Sequence, residues 1–289
     1  MTVRRRILVT GGSGGIGHFV LQELRDRYEA IVFDQREPAG PASRFIAGDI
    51  LNLPAFTEAC RGMDALIHLA AIPNPFSDPP ERIFPVNVTG TFHALEAAVR
   101  AGIPRVILAG SDSATGLAIK KVPLVPAYLP VDEEHPKTPS ELYGLTKLLV
   151  EEIGKTYARG YGLEVVILCP VFVVLPGKEG QIAERAAERI SRNLWAYVEP
   201  PDVAQAFRLA LELPAVSYEA FLIGAADTLS PVPSLKLVEE AFGRLPPIRR
   251  PEWFERNPNA SLYDISKAMR VLGYRPTSNW RKFSRREVP

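Results

Sequence analysis

Short aliphatic runs alternate along the chain with longer segments whose apolar residues recur at helical spacing. Strands are predicted at Ile7–Thr10, Ala30–Phe33, Arg44–Ala47, Ala65–Leu69, Arg105–Ala109 and Glu164–Leu168. Helices are predicted at Ile16–Tyr28, Leu53–Arg61, Asn87–Ala101 and Glu141–Tyr157. The first presents Ile16, Val20, Leu24 and Tyr28 on one face, and the last presents Leu142, Leu145, Leu149 and Ile153 on its expected buried side. Gly102 and Pro104 end the third helix. Apolar strands that alternate with helices imply an α/β fold, a doubly wound parallel sheet covered on both faces. From about Gly177 the pattern loses regularity and gains proline, as expected of a smaller, loop-rich lobe. The expected organisation is a nucleotide-type domain over 1–176, rejoined by 198–224, with 177–197 and 225–289 forming a small C-terminal substrate lobe.

Composition narrows the class. The 289 residues carry 34 Lys+Arg against 33 Asp+Glu, so the net charge of +1 offers no field for nucleic acid. Cys60 and Cys169 stand alone, which points to a reduced, cytoplasmic protein rather than a disulfide framework. The basic start, Met1 to Arg6, is followed only by the apolar Ile7–Val9, too short for a signal peptide. The longest apolar run, Val165 to Leu175, is broken by Pro170 and is too short to span a bilayer. His18, His68, His93 and His135 have no metal-ligand spacing, and no metal is expected. Proline is unusually frequent, at 27 residues. Ten lie in the loops 73–85 and 123–139, and none lies in 1–37 or 140–169. Those loops follow the fourth and fifth strands, so a stiffened rim around an active site is expected.

The strongest local signal is Thr10-Gly11-Gly12-Ser13-Gly14-Gly15-Ile16-Gly17, between the first strand and the first helix. Gly11, Gly14 and Gly17 at that junction allow a tight turn and let a pyrophosphate reach backbone N–H groups at the positive helix end. This is the Rossmann-type dinucleotide signature in its confirming context. Asp34 ends the second strand, where a carboxylate accepts hydrogen bonds from ribose hydroxyls and repels a 2′-phosphate. NAD is therefore favoured over NADP, although Arg36 offers a cation two residues on. Asp49 and Ile50 follow the third strand, suited to an adenine amino group and ring.

Tyr143 and Lys147 stand at i and i+4 on one helix. A nearby ammonium favours the phenolate and is expected to lower the tyrosine pKa, allowing proton exchange with an alcohol or carbonyl. Ser111 closes the fifth strand, beyond which ligands sit in open parallel sheets. Its hydroxyl, or that of Ser113, suits a developing charge on a substrate oxygen; either serine equally suits a turn or helix cap.

Together these residues resemble the extended short-chain dehydrogenase/reductases, the NAD-dependent epimerase/dehydratase family. Further motifs join the resemblance: Gly48-Asp49-Ile50, His68-Leu69-Ala70-Ala71, Asn87-Val88-Thr89-Gly90-Thr91, Asp202-Val203-Ala204 after Val198, and Asp264 to Pro276. The resemblance implies catalysis by Tyr143, Lys147 and Ser111. It implies NAD contacts from Gly11, Gly14, Gly15, Ile16, Gly17, Asp34, Asp49, Ile50, Tyr143 and Lys147. The nicotinamide is expected near Leu69, Ala70, Ala71 and Pro170, with Asn87, which starts the active-site helix, also counted among the cofactor-binding residues. Substrate contacts are expected from Ser113, Ile72 and Phe172. Hydride would pass between nicotinamide and a hydroxyl or carbonyl of a small sugar-like substrate; epimerisation or dehydration of a nucleotide sugar on tightly held NAD is the alternative.

Departures from the family bear on the substrate. Cys169 and Phe172 stand where sugar-nucleotide members carry Arg and Asn, and the segment from Pro170 to Asp202 is short for a nucleoside diphosphate. Uronate dehydrogenases, which resemble this chain in that shortening, carry Asn-His after the serine, where Asp112-Ser113 stand here. Trp195 and Tyr197 either line the substrate lobe or pack its core. The basic tail, Arg281-Lys282 and Arg285-Arg286, reads as a solvated face. A homodimer through the helices at 87–101 and 141–157 is expected from the resemblance.

Overall fold

The computed structural model describes residues 4–178, 180–187 and 193–284. Seven strands form one parallel sheet: β1 (Arg6–Thr10), β2 (Glu29–Asp34), β3 (Arg44–Ala47), β4 (Ala65–His68), β5 (Arg105–Ala109), β6 (Glu164–Pro170) and β7 (Tyr218–Ile223). Their order is β3-β2-β1-β4-β5-β6-β7, so the chain reverses direction across the sheet between β1 and β4. Ile7, Leu8 and Val9 are fully buried, as are Val165 to Leu168, because helices cover both faces. The α1 helix (Gly15–Leu24) packs with α7 (Pro200–Glu212) on one face. The helices α2 (Leu53–Cys60), α4 (Gly90–Ala101) and α5 (Leu142–Tyr161) cover the other. Short helices complete the chain: α3 (Pro80–Phe84), α6 (Gly180–Ala187), α8 (Ser234–Phe242), α9 (Pro251–Arg256) and α10 (Arg281–Ser284).

Three elements depart from expectation. The α1 helix ends at Leu24 rather than Tyr28, and the Tyr28 hydroxyl instead donates to Glu212 of α7. The third long helix is preceded by a separate π-helical turn, Pro85–Thr89, which turns Asn87 inward. In α5 the leucines do not form the buried face. Tyr143, Thr146, Lys147, Val150 and Gly154 face inward, while Leu145 is 39% exposed and Leu142, Leu149 and Ile153 are half-buried. A helix lining a polar site turns its reactive face inward, so hydrophobicity alone pointed the wrong way.

The region after β6 closes over the strand ends. Val173 pairs with Val198, and Trp195 and Tyr197 are fully buried, so they pack the core rather than line a substrate space. The Asp202 carboxylate, in the first turn of α7, accepts hydrogen bonds from the N–H and hydroxyl groups of Thr277 and Ser278. The proline-rich loop before α5 is tied to this lobe through Leu129 with Ile248 and Val131 with Tyr263. Arg105 of β5 gathers the carbonyls of Ala210, Leu211 and Leu213 just before β7. Arg285 and Arg286 lie outside the described residues. Among the described residues no helix is long and apolar enough to cross a membrane.

Candidate active site

A cavity of about 410 Å³ opens at the carboxyl ends of β1, β2 and β4. Gly11, Gly14, Asp34, Asp49, Ile50, Leu69, Ala70, Ala71 and Ile72 line it, as do Arg36, Arg82 and Pro85. Its size is that of a ligand site. Glycines make the turn possible: Gly11 has φ +71, and a Cβ there would lie 2.5 Å from the Ala70 nitrogen. A Cβ on Gly17 would lie 2.3 Å from the Gly11 carbonyl oxygen, so Gly17 supports the turn from beneath. Gly15 faces Leu175 instead of the cavity. Ile16 packs against the core.

No side chain caps the start of α1, and no acidic residue lies in its first turn. Its N–H groups are therefore left for an anion, which fits a pyrophosphate. Asp34 stands at the rim, its carboxylate accepting from Ser13 N–H (3.2 Å) and Gln35 N–H (2.7 Å). The Gln35 amide also donates to Asp49 (3.0 Å), joining the two rim carboxylates. The residues present thus fit a dinucleotide.

Ser111, Ser113, Tyr143 and Lys147 gather at the end of β5, and Pro170 and Phe172 lie at the end of β6; none of these lines the cavity. Tyr143 and Lys147 are buried side by side, with the ammonium 5.7 Å from the phenol ring centroid. Lys147 donates to the Ala109 carbonyl (2.8 Å), which fixes it at the end of β5. Ser111 stands beside Tyr143, N-caps the turn Asp112–Thr115 and accepts from Ser113 N–H (3.1 Å). It is therefore a cap that also stands beside the Tyr143 phenol. Ser113 itself is buried in that turn. Pro170 ends β6 opposite Ile223, and Phe172 lies beneath the Arg185 guanidinium, 3.7 Å from its ring centroid.

Electrostatics depart from expectation at Tyr143. Burial raises the phenol above its ordinary value; the Ser111 hydroxyl draws it partly back, and Asp112 and Glu141 push it up. Burial thus outweighs the lowering expected from Lys147. Burial also brings Lys147 down to about 8, so it remains mostly cationic at neutral pH. His68 is lowered to about 3 by burial and by Lys147, and its Nδ1 lies 2.7 Å from the Thr10 hydroxyl. It is a neutral core histidine. Among the described residues no cluster of His, Cys, Asp or Glu is arranged to hold a metal.

Asn87 is 1% exposed and lies behind the cavity. Its amide accepts from Ile72 N–H (2.8 Å) and donates to the Ile72 carbonyl (3.1 Å) and Thr146 hydroxyl (3.1 Å). Its side chain clamps the segment after β4 to α5. Other supporting residues went unnoticed in the sequence. Glu141 caps α5 by accepting from Tyr143 N–H (2.7 Å) and Gly144 N–H (2.5 Å). Glu151 is buried and paired with Lys137. Its position, eight residues after Tyr143 and four after Lys147 on the same inward face, was a readable signal.

The sheet order and the glycine turn define a Rossmann-type nucleotide-binding enzyme of the extended short-chain dehydrogenase/reductase class. Residues 7–224 match the model of the NAD dependent epimerase/dehydratase family, and the chain belongs to that family. It is similar to the L-arabinose 1-dehydrogenase (NAD(P)(+)) of Haloferax volcanii, with 31% identity over 283 residues, covering 95% of this chain and 97% of that protein. It is also similar to the uronate dehydrogenase of Pseudomonas putida, with 30% identity over 165 residues, 56% of this chain and 58% of that protein. Among solved structures it resembles MoeE5 in complex with UDP-glucose and NAD, with a TM-score of 0.71 and 25% identity over 97% of this chain and 99% of that one.

Proposed function

We propose that this chain is an NAD-dependent oxidoreductase acting on a hydroxyl or carbonyl of a small, free sugar. The observation that carries the reading is the group Ser111, Tyr143 and Lys147, buried together at the end of β5 beside a glycine-lined cavity. Likeness to two sugar dehydrogenases supports a sugar substrate. Asp34 at the ribose end of the cavity favours NAD over NADP.

When bound, nicotinamide supplies the acceptor or donor of hydride. The chain supplies the rest. Gly11, Gly14 and the open α1 N-terminus hold pyrophosphate, while Asp34 and Asp49 hold the adenosine end. Tyr143 takes the proton of the substrate hydroxyl or returns it to the carbonyl. Lys147 holds positive charge beside the phenol, where it favours the phenolate as that proton leaves. Ser111 donates to the substrate oxygen as charge develops there. Ser113, Ile72 and Phe172 border the substrate.

The competing reading is a nucleotide-sugar epimerase or dehydratase, supported by likeness to a UDP-glucose complex. The short segment between Pro170 and Asp202 favours the free sugar. Assays of aldoses and uronates with NAD test the proposal by formation of reduced nicotinamide. Turnover of UDP- or TDP-sugars alone, with nucleotide released only on denaturation, would favour the alternative.

The half-exposed Leu142, Leu149 and Ile153, with the exposed Leu145 and Phe92, form an apolar strip across α5 and α4 that suits a homodimer interface. The proposed working unit is a cytoplasmic dimer. Each protomer pairs a nucleotide domain of 1–176 and 198–224 with a substrate lobe of 177–197 and 225–289.

A further inference from the structure

Asp112 directly follows Ser111 and is 4% exposed. The Ser111 hydroxyl donates to Asp112 Oδ1 across 3.2 Å. Asp112 Oδ2 is buried with no hydrogen-bond partner, and Asp112 forms no ion pair among the described residues. An anion held this way is costly to bury, whereas the neutral acid is not.

A hydroxyl carries one proton. If Asp112 is a carboxylate, it takes the Ser111 proton, and Ser111 offers only a lone pair to the site. If Asp112 is neutral, its own O–H donates to Ser111. The Ser111 proton is then free for Tyr143 or a substrate oxygen. The transition state gathers negative charge on that oxygen in both reaction directions, so it needs a donor there. We propose that Asp112 is a positioning residue that aims the Ser111 proton at the substrate oxygen, and that it does so in its neutral form. The proposal rests on the reading that Ser111 meets the substrate.

The surroundings favour the neutral acid. Tyr143 faces Asp112 from the start of α5, and the buried Tyr263 faces it from the C-terminal lobe. A small cavity beside Ser111 and Asp112 is shared with Asp132, Glu133 and Lys137 of the preceding loop, Glu151 of α5 and Cys169 of β6. The one cation of that group, Lys137, is paired with Glu151. Burial raises Asp112 to about 7, against the lowering effect of hydrogen bonds from Ser111 and the backbone. It is therefore mostly neutral below that pH and anionic above it.

The test uses the full chain with NAD and the sugar it turns over. In the native protein kcat/KM falls above about pH 7, the value set by Asp112. Asp112→Asn, whose amide donates to Ser111 at every pH, loses the fall near pH 7, keeps only the later one near pH 8 where Lys147 gives up its charge, and stays within about threefold of the native maximum. Infrared pH-difference spectra of the native protein show a buried carboxyl titrating near neutrality, which Asp112→Asn lacks. In Ser111→Ala the same band titrates at higher pH, because the anion has lost a hydrogen bond. The proposal is overturned if Asp112→Asn keeps the fall near pH 7, if it loses the same factor at every pH, or if the band is missing or unmoved by Ser111→Ala. Tyr143→Phe separates the two readings. An inactive variant leaves the site assignment standing while Asp112 is judged alone; a fully active one removes the assignment itself.

Discussion

The two ends of the sheet's carboxyl edge are built differently. Around β1 to β3 the chain offers backbone N–H groups, glycines and two rim carboxylates to an open cavity. Around β4 to β6 it buries titratable side chains: His68, Asp112, Tyr143, Lys147 and Glu151. The first end suits recognition, since fixed dipoles and hydrated charges need no change of protonation. The second suits proton transfer, since burial moves pKa values and couples neighbouring groups. A substitution should thus act through shape at one end and through protonation at the other.

The largest effect is expected at the buried end. Tyr143→Phe should lower kcat by roughly 10²–10⁴-fold while nucleotide affinity, followed by fluorescence titration, stays near native. At the open end Gly17→Ala should act through shape alone. Its new Cβ would meet the Gly11 carbonyl oxygen at 2.3 Å, so denaturant unfolding should show a loss of more than about 2 kcal/mol together with lost nucleotide binding. A variant that bound NAD normally would remove the support assigned to Gly17.

Histidine 68 gives the comparison a pH dependence. Its folded pKa of about 3 lies below its ordinary 6.5, so the unfolded chain binds a proton that the folded chain refuses. Stability should therefore be intact above about pH 6.5 and fall as pH drops toward about 3, by up to about 1.4 kcal/mol per unit. His68→Gln should flatten this slope in urea titrations across that range. The smallest effect on folding is expected on the outer face of α5. Leu145→Lys should change stability by no more than about 0.5 kcal/mol yet convert the proposed dimer to monomer in light scattering.

The contrast also explains what could be read in advance. Continuous apolar runs placed β1 to β6, and the glycines between β1 and α1 marked the open end, because both depend on local chain geometry. The buried end hid more. The leucines of α5 looked like its core face because hydrophobicity ranks Leu145 above Thr146, although the site demands the reverse. Asn87 read as part of the active site, but only the fold brings Ile72 and Thr146 within reach of its amide. Asp112 sat in plain view beside Ser111. Its orphaned oxygen depends on Tyr263 and β6 closing around it, which no local pattern encodes.

The place of β7 bears on how the chain assembles during synthesis. Strands β1 to β6 can pair once residue 170 has emerged, but β6 then remains a bare apolar edge. Its partner, Tyr218–Ile223, follows only after α7. Until then Val165 to Leu168 offer open N–H and C=O groups to any passing strand, the condition that favours misassembly. The guanidinium of Arg105, waiting on β5 for the carbonyls at the end of α7, docks the residues that lead directly into β7. It acts as a late fastener, and a ribosome stalled before residue 218 would release a nearly finished sheet with its stickiest edge uncovered.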